Sequence, residues 1–160
     1  MDNRDRSAQV LKLVNLARAS YGAAELESLP GGQIRSALYC PIGRSLRTGV
    51  EDWLFITVGS KHLRLWAVAK DPVTIAKQIM TAWELPQEQP KLSRERPGIV
   101  MVPLPSEIRE FLHRFDSGLL PDHQGRIDQQ EVRRLRELAS SLPTSVRPQN
   151  EAGARKRWFA

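Results

Sequence analysis

The chain has one cysteine, Cys40, so no internal disulfide can form and the fold must be held by its core. It has no run of ~18 apolar residues, which excludes a helix spanning a bilayer. A charged start leading into an apolar run and a small-residue cleavage site is also lacking, so a cytoplasmic location is expected. Gly31-Gly32 has no GKS or GKT downstream and follows no convincing strand, which removes both nucleotide-binding fingerprints. Neither a nucleophile elbow nor a zincin sequence occurs.

What is present suits a folded domain. With 41% apolar and 26% charged residues in 160, the chain can bury one core of its own. The formal charge is +6, and an excess of Lys and Arg favours acidic partners, nucleic acid above all. Residues 91–160 hold 13 basic and 9 acidic side chains against 11 and 9 in residues 1–90, so basicity leans C-terminal without forming a polycation.

Periodicity divides the chain. Val10, Leu13, Val14, Ala17 and Tyr21 form an apolar stripe on a helix from about Asp5 to Tyr21, stopped by Gly22. Arg4, Lys12 and Arg18 fall off that stripe. Ala23–Leu29 offers a further helical turn before Pro30-Gly31-Gly32. Cys40-Pro41-Ile42-Gly43-Arg44-Ser45-Leu46 reads as a short helix with proline at its first position. Trp53–Val58 and Leu63–Val68 are strand-like, joined by Gly59-Ser60-Lys61. The first is apolar on both faces, as for a central strand; the second alternates, with His62, Arg64 and Trp66 on the wetter face.

Asp71 then caps a helix with Pro72 first and Val73, Ala76, Ile79, Met80 and Trp83 buried; Pro86 ends it. Residues 86–97 read as an exposed loop and Ile99–Val102 as a third strand, with Pro103 at its end or on an edge. Ser106 is placed as the cap of a helix with core face Ile108, Phe111, Leu112 and Phe115, closed by Gly118. Asp128 and Glu131 make a capping box, stapled by Ile127 and Val132, for a last helix buried through Leu135, Leu138, Ala139 and Leu142. The expected fold is α+β: a small sheet of about three strands, a β-hairpin plus one strand, covered by about five helices. Any parallel strand–helix–strand crossover in it should be right-handed. This single domain spans 1–142, and 143–160 reads as a basic, flexible C-terminal tail whose deletion leaves the fold intact.

Several groups invite chemistry. Cys40 opens a helix near Arg44 and Arg47, which favours a thiolate, and His62 is available as its base. Leu38, Tyr39 and Ile42 around it suit a buried, slow-reacting thiol better. His113, Asp116, Asp122 and His123 contain metal-ligand types at a spacing that matches no metal motif. Leu120–Glu131 partly resembles a calcium loop, but Leu120 cannot ligate, and the capping box accounts for Asp128 and Glu131. No metal and no cofactor are expected, and no catalytic residue is assigned.

Arg133, Arg134 and Arg136 stud the last helix opposite its stripe. Arg155, Lys156, Arg157, Trp158 and Phe159 end the tail. Together they are the candidate surface for nucleic acid or a protein partner. Against this, Glu131 and Glu137 can pair with the helix arginines, and the two terminal aromatics can dock on the domain itself.

The segment Cys40–Leu46, with Leu104-Pro105-Ser106-Glu107-Ile108-Arg109-Glu110-Phe111 and Phe115-Asp116-Ser117-Gly118, resembles short proteins of high-GC actinobacteria and their phages. The resemblance covers about half the chain and implies no activity. The expectation is a small, basic, non-catalytic binding or accessory protein acting on a macromolecule. The alternative is nucleic-acid binding through the last helix and tail, and a cysteine-dependent enzyme ranks third.

Overall fold

Residues 3–86, 91–92 and 98–142 are described by the computed structural model. The tail 143–160, with Arg155, Lys156, Arg157, Trp158 and Phe159, lies outside the described residues.

The N-terminal stripe becomes the buried side of α1 (Asn3–Ser20): Val10, Val14, Ala17 and Tyr21 are buried and Leu13 packs at the margin. Gly22, at φ +86°, turns the chain out of the helix, and the Ala23 N–H donates to the Arg18 carbonyl. No helical turn follows. The Asn15 side chain instead pairs with both backbone groups of Leu26, donating to its carbonyl (3.0 Å) and accepting from its N–H (2.8 Å). A side-chain amide that imitates a strand partner holds this segment against α1.

Four antiparallel strands form one sheet in the order β1–β2–β4–β3: β1 (Leu54–Val58), β2 (His62–Ala67), β4 (Val100–Pro103) and the two-residue β3 (Lys91–Leu92). The hairpin and third strand are those expected. The addition is β3, inside the segment read as a loop; two residues carry no periodicity by which to find them. Among the described residues the strands of the sheet pair only antiparallel, so no handed strand–helix–strand crossover arises in it, and Pro103 sits at the end of β4 opposite His62.

One expectation is reversed. β1 is buried at every position, yet it is an edge strand. Its burial comes from layers above and below. Leu54, Ile56 and Val58 face the main core, while Phe55 joins a second cluster with Leu38, Tyr39, Ile99, Leu135, Leu138 and Leu142. Its outer edge is covered too, since the Val58 N–H donates to the Ala37 carbonyl at 2.8 Å.

Helices α1, α2 (Pro41–Arg47), α3 (Pro72–Ala82) and α4 (Ser106–Asp116) share the main core. α5 (Gln129–Ser140) supplies Leu135 and Leu138 to the second cluster, which also holds Phe55 of β1. Asp71 caps α3, accepting from the Val73 N–H and from the Thr74 hydroxyl. α3 stops four residues before Pro86, because Glu84 adopts φ +54° and the Leu85 N–H closes back on the Met80 carbonyl. At α4 the cap position is Pro105; Ser106 is already helical and makes no capping bond.

Candidate functional site

Cys40 is the N-cap of α2, not a nucleophile in waiting. It is 2% exposed, and its Sγ accepts the Gly43 N–H at 3.3 Å. Burial pushes the thiol up to about 11, against smaller opposing contributions from that N–H and from Arg47. His62 opens β2 opposite Pro103, beside the β1–β2 turn.

The arginines flanking Cys40 serve the backbone. Arg47, 1% exposed, donates through Nη1 to the Ile56 carbonyl (3.0 Å) and through Nη2 to that of Leu38. Arg44 binds the Gly31 carbonyl and lays its guanidinium along Glu131, with Nε–Oε2 at 2.9 Å and Nη2–Oε1 at 3.1 Å. Arg18, placed off the apolar stripe by sequence, is in fact buried. Its fork reaches the carbonyls of Ala24, Ser45 and Thr48 at 2.6–2.8 Å, joining α1 to the end of α2. Desolvation lowers the pKa of Arg18 and Arg47. A guanidinium remains charged even so, and satisfies several carbonyls that would otherwise be buried unpaired.

The capping box is half made. Asp128 accepts the Gln130 N–H at 2.9 Å, but Glu131 turns its carboxylate to Arg44 across the fold. Sequence spacing cannot register a partner 87 positions away. The metal-ligand types are dispersed as well. His123 shares a hydrogen bond with the Ser7 hydroxyl at 3.1 Å and sets its ring edge-on to Phe111, while Asp116 accepts the Arg35 N–H. Among the described residues no group of three or more His, Cys, Asp or Glu is placed to hold a metal ion.

On α5, Arg133, Arg134 and Arg136 are all exposed, but they do not face one way. Helical rotation puts Arg133 about 60° from Arg136, while Arg134 lies about 160° from Arg136. Arg134 there lines a cleft with Glu51, Asp52 and Glu137, where three carboxylates surround one cation.

The cations the sequence did not bring together are elsewhere. A groove of about 660 Å³ runs between the β1–β2 turn and α4, lined by Arg35, Lys61, Arg109 and His113, all exposed, with the hydroxyls of Ser60, Ser106 and Ser117. Its two carboxylates are already engaged: Glu110 pairs with Arg6, and Asp116 holds the Arg35 N–H at 2.8 Å. Arg64 approaches the same turn, its Nη1 3.6 Å from where a Cβ on Gly59 would stand. No family model, curated protein or solved structure matches the chain.

One signal of this groove was legible. Ser106, Arg109, Glu110, His113 and Ser117 repeat at helical spacing opposite the Ile108–Phe115 core stripe, marking the polar side of α4. Nothing in the sequence connects that side with Lys61 or Arg35.

Proposed function

We propose that the protein is a non-catalytic binding protein that acts on a macromolecular partner from the cytoplasm, in the manner of an accessory factor. The observation that carries this reading is the character of the groove between the β1–β2 turn and α4. Arg35, Lys61, Arg109 and His113, all exposed and drawn from three separate segments, line an open trough, whereas a small-molecule site is enclosed. Supporting it, the most reactive side chain, Cys40, is buried as a helix cap with its pKa raised.

Nucleic-acid binding through the last helix and tail is the second reading. It draws on Arg133 and Arg136, which lie exposed on the outer side of α5. Affinity capture of the full chain from lysate, with and without nuclease, tests the main reading. Stoichiometric retention of a macromolecule in either arm is expected. Failure to retain one in both arms, together with turnover of a small molecule that is lost in Cys40→Ser, overturns it.

A further inference from the structure

Resting on that reading, we propose that the groove between the β1–β2 turn and α4 takes the phosphodiester backbone of a nucleic acid. Arg35, Lys61 and Arg109 would be its phosphate contacts. Three lines of observation converge on this groove.

The first is charge. Around the groove Arg35, Lys61, Arg64 and Arg109 stand against Asp116, whose carboxylate accepts the Arg35 backbone N–H, while Glu110 is paired with Arg6. The Arg134 cleft has the opposite balance, three carboxylates to one arginine. Cations far apart in the sequence are thus brought by the fold to one place.

The second is donor chemistry. Besides the cations, the groove offers the hydroxyls of Ser60, Ser106 and Ser117, and it adjoins the start of α4, where Pro105 and Ser106 supply no capping bond. A phosphodiester has acceptors and no donors, so a wall of donors can satisfy it completely. An acidic peptide would bring backbone N–H groups that need acceptors, and the groove's carboxylates are engaged.

The third is strain. Arg35 is a non-glycine residue at φ +56°, a conformation uncommon for so bulky a side chain. The Asp116 carboxylate holds it there through the Arg35 N–H. A backbone kept in an unfavourable region to present one exposed cation beside two others is what a positioned contact requires.

The test uses the full chain and a fluorescently labelled 20-nucleotide strand, alone and as a duplex, with anisotropy read across a salt series. The decisive variant is Arg35→Gly/Lys61→Gln/Arg109→Gln, in which glycine also relieves the strained backbone. The control is Arg133→Gln/Arg134→Gln/Arg136→Gln. Binding at low salt should weaken about tenfold or more in the groove variant, with the slope of log K against log salt falling by about 2–3. The α5 variant should lose far less. Circular dichroism of both variants guards against misfolding, and the single substitution Lys61→Gln, in an exposed turn, should show about one third of the slope change. Equal loss in both variants, loss in the α5 variant alone, or no binding by the full chain at low salt each overturns the groove assignment. If a partner is still captured after nuclease treatment, only this inference falls and the broader binding reading stands.

Discussion

The guanidinium of Arg47 lies across the outer edge of β1 and donates to the carbonyl of Ile56 at 3.0 Å. With its second nitrogen on Leu38, it does for this strand what a neighbouring strand would otherwise do. Arg47→Met leaves two buried carbonyls unpaired, and a loss of about 2–5 kcal/mol in urea unfolding is expected. Arg47→Lys should recover part of it, since an ammonium cannot span both carbonyls as the planar fork does. Equal stability of all three proteins would contradict this role.

Gly32 is required for space. A Cβ there would stand 2.5 Å from both the Pro41 nitrogen and the Tyr39 carbonyl oxygen, and neither backbone group can turn aside. Gly32→Ala should destabilise by about 1–3 kcal/mol or more. Gly22→Ala, by contrast, meets nothing within 4 Å and suffers only from φ +86°, for which about 1 kcal/mol is expected. Melting temperatures of the two variants should separate in that order.

The Cys40 thiol makes stability depend on alkaline pH. Its folded pKa, about 11, lies above the ordinary 9.0, so the native state keeps a proton that the unfolded chain releases. The stabilisation is complete below about pH 9 and declines between about 9 and 11, by about 2–3 kcal/mol across that window. Burial raises the phenols of Tyr21 and Tyr39 too, adding the same sign at higher pH. Cys40→Ser keeps an acceptor for the Gly43 N–H but removes the titration, so its stability should fall less steeply above pH 9. Native Cys40 should also label slowly at neutral pH; rapid labelling would place the thiol at the surface.

Arg44 and Glu131 tie the start of α5 to α2, and both are about 15% exposed as side chains (15% and 16%). Glu131→Gln should cost about 1–3 kcal/mol, because Arg44 then keeps its charge without a counterion. In a double-mutant cycle with Arg44→Ala the coupling energy should be about 0.5–3 kcal/mol. A coupling near zero would mean that the pairing with Arg44 contributes nothing to stability.

By itself the sequence determined the local elements. The apolar stripes of α1, α3, α4 and α5, the hairpin, and the stops at Gly22 and Gly118 follow from periodicity and backbone chemistry acting within a few residues. The α+β class, with its hairpin and third strand, follows from the order of those elements. Only the tertiary structure decided which strand is at the edge. Two-sided burial of β1 comes from layers stacked above and below it, and strand neighbours do not enter. It also decided the fate of the charges. Arg18 reads as lying off the apolar stripe and Arg47 as a cation beside Cys40, because their formal charge is visible in sequence and their carbonyl partners, Ser45 and Ile56 among them, are not. Glu131 found Arg44 across the fold in the same way. The groove of Arg35, Lys61 and Arg109 is the clearest case. Its cations come from a loop, a turn and a helix, and charges so far apart in sequence become one surface only when packing removes the chain between them.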